Sequence, residues 1–153
     1  MGKINFALIG AGYIADYHAR GLQEDDDAVI SSVVGLPLES AKEFAKKYGI
    51  NEATDDVSQL YKNNDIDAVI ISTPNKFHMP FAVEFLKNGK DVFIEKPMAI
   101  NPQEGREIEK AAQENNRIVM VGHMWRFDRE VNFIKELVGS GKLGNIVKTK
   151  GYG

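Results

Sequence analysis

The sequence predicts an α/β fold built on a doubly wound parallel sheet, and three observations predict it. Short, almost wholly apolar runs alternate with longer amphipathic segments, glycines and capping residues punctuate the joints, and a glycine-rich corner follows the first run. A strand covered on both faces reads as continuous hydrophobicity, so Ile4–Ile9, Val29–Val34, Ala68–Ser72, Val92–Ile94 and Ile118–Val121 are expected to be central parallel strands.

The segments between them read as helices. After Ile4–Ile9 and its glycine corner a helical stretch reaches Leu22. Leu38, Ala41, Phe44, Ala45 and Tyr48 then recur at helical spacing, and Gly49 closes that stripe with a residue that tolerates left-handed geometry. Glu52–Thr54 is a weak strand and Val57–Lys62 a short helix. Phe77, Phe81, Phe85 and Leu86 form the next stripe, ended by Asn88-Gly89. Asn101-Pro102-Gln103-Glu104 opens another helix with a cap, a first-turn proline and a carboxylate at the third position. Val131, Ile134, Leu137 and Val138 make the last one, closed by Ser140-Gly141-Lys142-Leu143-Gly144. Six strand positions joined by helices suit the order 3-2-1-4-5-6, which places a ligand crevice at the carboxyl ends of strands 1 and 4. From Asn145 a new alternating strand begins, which either joins an edge of this sheet or opens a second domain. The expected division is therefore residues 1–144 and 145–153.

Composition bounds the function. The chain has 153 residues, 27% charged and 43% apolar, enough to hide roughly 70% of its unfolded surface in one domain. There is no cysteine, which excludes a disulfide scaffold and a thiolate-held metal. Nineteen basic against 22 acidic residues leave a net charge of −3, with no surplus for a nucleic-acid backbone, and no window approaches a membrane span. His18, His78 and His123 lie in separate elements without ligand spacing, so no metal centre is expected. Met1-Gly2-Lys3 leads straight into a strand without signal-peptide character, and a cytoplasmic location is expected.

Four groups carry candidate chemistry. Gly10-Ala11-Gly12-Tyr13-Ile14-Ala15 stands between the first strand and the first helix. There the first glycine permits a tight turn, the second admits a pyrophosphate to the backbone, and Ala15 supplies the small third residue for helix packing. The helix amides then face the phosphates. An acid ending strand 2 should complete this fingerprint by holding the ribose hydroxyls, but Gly35-Leu36-Pro37 occupies the place. No arginine stands there for a 2′-phosphate, although Ser40 and Lys42 are near, so NAD and NADP both remain open.

Ser72-Thr73-Pro74-Asn75, with His78 beyond, ends strand 4 and suits contact with a ribose and nicotinamide; a plain helix cap would use the same residue types. Glu95-Lys96-Pro97 ends strand 5, where a lysine could hold or polarise a hydroxyl or carbonyl. Trp125 and Arg126, in His123-Met124-Trp125-Arg126-Phe127, could stack on or bind a polar ligand, and Phe127 reads as cover for the sheet edge. His18, two turns into the first helix, reads as structural.

Together these motifs resemble the amino-terminal half of the glucose–fructose oxidoreductase, inositol dehydrogenase and rhizopine catabolism family of NAD(P)-dependent oxidoreductases, over nearly the whole chain. Glu95-Lys96-Pro97 is the most specific of them. The resemblance implies a Rossmann domain in which Gly10, Gly12, Tyr13 and Ile14 hold the pyrophosphate, and Ser72, Thr73, Pro74, Asn75, His78 and Glu95 line the cofactor path. It implies that Lys96 stands by the nicotinamide and substrate as the catalytic residue, with Trp125 and Arg126 near the same end. It further implies hydride transfer between nicotinamide and a secondary alcohol of a sugar, cyclitol or related polyol, in a homo-oligomeric parent. Family members continue into a second, sheet-rich domain carrying an Asp-x-x-x-His pair and most of the substrate pocket. Lys142-Leu143-Gly144-Asn145-Ile146 resembles the lead-in to it, so the chain is expected to be a truncated, cofactor-binding part without turnover of its own. The alternatives are a non-catalytic dinucleotide-dependent sensor or scaffold, and an S-adenosylmethionine-binding fold, which also expects an acid after strand 2.

Overall fold

Six strands form one parallel sheet: β1 (Ile4–Ile9), β2 (Ala28–Val34), β3 (Glu52–Thr54), β4 (Ala68–Ile71), β5 (Asp91–Ile94) and β6 (Val119–Val121). Their spatial order is β3-β2-β1-β4-β5-β6, every neighbouring pair parallel, as expected from the doubly wound pattern. The computed structural model describes residues 2–151 and divides into two units, Met1–Gly122 and His123–Gly153.

In the first unit, helices α1 (Tyr13–Gln23) and α2 (Leu38–Tyr48) follow β1 and β2, the one-turn α3 (Ser58–Tyr61) follows β3, and α4 (His78–Lys87) and α5 (Pro102–Glu114) follow β4 and β5. The apolar runs are buried because each strand feeds two cores, its side chains alternating between the sheet faces. Ala7 and Ile9 of β1, with Val69 and Ile71 of β4, pack with Leu60, Phe85, Leu86 and Ile108. Leu8 and Ile70, between them in sequence, pack on the opposite side with Ala15, Ala19, Ala41 and Phe44. The caps act as expected. Asn101 Oδ1 accepts the Glu104 amide at 2.9 Å, and Gly49 closes α2 with φ +68°.

β6 departs from the expectation of a central strand. It lies at the sheet edge with Met120 43% exposed, because an edge strand lacks a neighbour on one side. Ile118, assigned to that strand by its hydrophobicity, precedes it.

The second unit holds a 3-10 turn, Met124–Arg126, and helix α6 (Arg129–Gly139), whose start is capped by Asp128 Oδ1 accepting the Val131 amide at 2.9 Å. Asn145–Lys150, expected as a strand, forms none. An alternating pattern becomes a strand only when another strand supplies its ladder bonds. The end of that expected segment, Tyr152 and Gly153, lies outside the described residues. No helix among the described residues is long and apolar enough to cross a membrane.

Candidate functional site

Parallel strands in register bring their carboxyl ends to one edge, so the residue following each strand is aligned with its neighbours. Five amide-to-carbonyl bonds record that alignment: Gly35 to Thr54 (3.0 Å), Gly10 to Val34 (2.9 Å), Ser72 to Ile9 (2.9 Å), Glu95 to Ile71 (2.9 Å) and Gly122 to Ile94 (2.8 Å). Gly10, Ser72 and Glu95, which are far apart in sequence, thus become successive members of one row about 4.8 Å apart. The motifs singled out in the first unit all start from this row.

Gly10 makes the corner after β1. Its φ of +119° lies where side chains are disfavoured, and a Cβ there would stand 2.9 Å from Ser72 Oγ and 3.1 Å from the Ser72 carbonyl. Gly12 is different. It is the N-cap of α1, and a Cβ built on it meets nothing within 4 Å, so it borders open space. Ala15 is fully buried beneath, the small third residue that lets the helix pack on the strand. Asn101 and Asp128 cap α5 and α6 with side-chain acceptors, whereas Gly12 offers α1 none. The amides opening α1, including those of Tyr13 and Ile14, precede its first ladder bond, Asp16 to Gly12, and point out of the helix end. The side chains of Tyr13 and Ile14 are exposed, and the Tyr13 hydroxyl meets that of Tyr17 at 2.7 Å.

A cavity of about 510 Å³ opens over this corner, bounded by Gly10–Gly12, Leu36, Asp55, Val57 and Ser72–Pro74, with Phe77 and Phe81 stacked along one wall at 5.6 Å. Ser72 Oγ donates to Ile9 O at 3.5 Å. Thr73 Oγ1 is buried and has no hydrogen-bond partner. A buried hydroxyl left unpaired is costly; Thr73 lines the cavity, while its Oγ1 lies beneath the cavity surface. The open approach to Gly12 fits an extended ligand carrying phosphates. Asn75 opens the 3-10 turn before α4 and is exposed.

His78 departs from the reading that it lines a cofactor path. It is 1% exposed, with Nε2 2.8 Å from Thr73 O and Nδ1 2.8 Å from Pro97 O. Both nitrogens face carbonyl oxygens, so the ring braces the segment after β4 against the segment after β5 and has no polar atom left for a ligand. Glu95 is similarly committed. Its Oε1 lies 2.9 Å from His18 Nε2, and its Oε2 accepts the Lys96 amide at 3.2 Å. Packing of Phe93 edge-on against the His18 ring at 4.9 Å fixes the other side of that contact. Lys96 itself is exposed, beside the braced Pro97. Trp125 and Arg126 belong to the second unit, where Arg126 O accepts from Asn132 Nδ2 at 3.1 Å and both side chains are exposed.

Sequence reasoning missed Asp55, Leu36 and Val57 as cavity residues. The available signal was position: Asp55 directly follows β3, and the carboxyl end of every strand reaches the same edge.

An uncapped helix start over a glycine corner, facing a largely apolar crevice at the switch point of a 3-2-1-4-5-6 sheet, defines a nucleotide-binding α/β domain. Residues 4–123 match the Gfo/Idh/MocA family, described as an oxidoreductase family with an NAD-binding Rossmann fold, and the chain belongs to it. It is 30% identical over 151 residues to the scyllo-inositol 2-dehydrogenase (NAD(+)) of Bacillus subtilis, covering 98% of this chain and 44% of that protein. To the scyllo-inositol 2-dehydrogenase (NADP(+)) of the same organism it is 35% identical over 117 residues, 76% of this chain and 36% of the relative. The crystal structure of scyllo-inositol dehydrogenase from Lactobacillus casei with bound NAD(H) and scyllo-inositol superposes with a TM-score of 0.87 at 27% identity, covering 94% of this chain and 43% of that one. The chain therefore spans less than half the length of these relatives. Its cofactor is a nicotinamide dinucleotide, NAD or NADP.

Proposed function

We propose that this chain is the cofactor-binding part of an oxidoreductase that transfers hydride between nicotinamide and a secondary alcohol carbon of a sugar, cyclitol or related polyol. The observation that carries the reading is the open, uncapped Gly12 corner facing one cavity whose far wall is the Ser72–Pro74 segment at the end of β4. In this reading the amides of Gly12, Tyr13 and Ile14 hold the pyrophosphate, and the Gly10 turn carries the chain clear of it. Ser72, Thr73, Pro74 and Asn75 follow the cofactor towards its nicotinamide end.

When bound, the cofactor supplies the hydride chemistry. The protein's part is to orient the alcohol and manage one proton. Lys96 Nζ orients the hydroxyl and helps move its proton, on a backbone fixed at the end of β5 by Glu95, whose carboxylate accepts the Lys96 amide, and by the His78 brace on Pro97. Glu95 and His78 are positioning residues for it. For Trp125 and Arg126 the assignment to the cofactor rests on the family resemblance alone. The chain by itself binds dinucleotide without turnover, since the resemblance assigns the substrate wall and the Asp-x-x-x-His pair to a further domain.

Fluorescence titration of the purified chain with NADH tests the reading. Saturable binding that is abolished by Gly12→Trp, with the far-ultraviolet circular dichroism of a folded chain, is expected, because the new side chain starts where a Cβ meets nothing within 4 Å and enters the phosphate approach. Equal affinity in the variant would remove the assignment of the cofactor to this corner.

A further inference from the structure

We propose that Asp55 selects NAD over NADP, taking the part of the acid that is missing from the end of β2. The proposal rests on the cofactor reading above.

The usual place for the acid is sterically closed. A Cβ at Gly35 would stand 2.8 Å from Ala11 Cβ and 3.2 Å from Ala41 Cβ. Those methyls belong to the glycine corner and to α2, and neither has a torsion that could move it aside. A carboxylate at position 35 would push one of these elements off the sheet, so the glycine there is required by packing.

The adjacent strand supplies a substitute. The Gly35 amide donates to Thr54 O at 3.0 Å, which sets Asp55, the next residue, beside Gly35 at the same edge. Asp55 is exposed, lines the cavity of the glycine corner, and is the one charged side chain that does so. Its acidic neighbours are occupied: Asp56 accepts from the Ser58 amide and hydroxyl at 2.9 and 2.6 Å, and Glu52 accepts from Ser32 Oγ at 2.7 Å. The Asp55 carboxylate makes no hydrogen bond or ion pair among the described residues, so both oxygens are available to two ribose hydroxyls.

The surroundings offer a 2′-phosphate little beyond Lys42 of α2, which is exposed and does not line the cavity. Leu36, 79% exposed, stands where an arginine would receive it. Ser40 Oγ donates its hydrogen to Pro37 O at 2.7 Å. Arg20 and Lys47, the cations on the outer side of the corner, are both held by Asp16. A phosphate carrying nearly two negative charges would meet an uncompensated carboxylate, which is discrimination by an unfavourable pairing as well as by a favourable one.

The test is equilibrium titration of the purified chain with NADH and with NADPH, at low and at high salt. NADH is expected to bind at least roughly tenfold more tightly, the worth of one surface charge contact, with the ratio shrinking as salt screens the repulsion. Asp55→Asn should weaken NADH, strengthen NADPH and bring the two within about threefold, while Asp55→Lys should reverse the preference; the residue is exposed and unpaired, so both variants fold. Equal wild-type affinities, or an Asp55→Asn variant with an unchanged ratio, would overturn the role of Asp55 and leave the cofactor site standing. Failure of both dinucleotides to bind would overturn the cofactor reading and this proposal with it.

Discussion

The His18 imidazole, on α1, and the Glu95 carboxylate, at the end of β5, meet at 2.9 Å with each side chain about one-fifth exposed. The contact spans 77 residues of sequence and ties the helix that opens the glycine corner to the residue that carries Lys96. Removing the imidazole would leave a mostly buried carboxylate oxygen unpaired. His18→Ala is expected to lower stability in urea unfolding by about 1–2 kcal/mol, with Glu95→Gln costing less because an amide can still bond the ring. A loss in His18→Ala with none in Glu95→Gln would leave packing on Phe93 as its source, whereas equal losses would mean that the amide does not replace the carboxylate in the contact.

The two glycines of the corner separate fold from binding. Gly10→Ala meets both a positive φ and Ser72, and should destabilise by about 2 kcal/mol or more. Gly12→Ala has open space and a φ of −97°, so its stability should stay within about 0.5 kcal/mol of wild type while NADH affinity falls. Denaturation and titration on the same two samples check the contrast; a stability loss at Gly12 would contradict it.

His78 is a buried brace with both nitrogens on carbonyl oxygens. His78→Ala opens a cavity and strands whichever of the Thr73 and Pro97 carbonyls accepts the ring N–H, for an expected loss of about 2–4 kcal/mol. NADH affinity should fall as well, since Thr73 and Pro97 lose the ring that spaces them, and His78→Gln should recover part of both. An alanine variant of native stability would show that the ring carries no such load.

Asp16 gives a pH signature. Hydrogen bonds from Lys47 and Tyr48, and the nearby charge of Arg20, lower its pKa from the ordinary 3.8 to about 2. A depressed carboxyl stabilises the fold at pH values above its unfolded pKa, and that stability is lost as pH falls through the folded one. Wild type should therefore be more stable than Asp16→Asn at pH 6, with the gap closing between pH 3.8 and about 2. Denaturant midpoints across that range measure it, and a gap independent of pH would exclude the ionised carboxyl as its source.

Much of the fold was legible because its signals are local. The run Ile4–Ile9 before Gly10-Ala11-Gly12, the Gly49 stop and the Asn101 cap each depend on a few consecutive backbone angles and on one face of apolar residues. Six strand positions and their order followed from those segments and the rules of crossover connection. The exposed edge position of β6 and the unformed strand at 145–150 were not legible, since each depends on which neighbour is present.

Within the site, residue types and spacing alone determined the glycine corner, the Ser72–Asn75 turn and the place of Lys96 at a strand end. Tertiary structure decided which of the polar groups are free. It committed His78 and Glu95 to bracing, closed position 35 with Ala11 and Ala41, and set Asp55 in the crevice beside it. The physical reason is that a side chain's chemistry follows from its type, whereas its availability depends on partners brought to it across the sheet from distant parts of the chain.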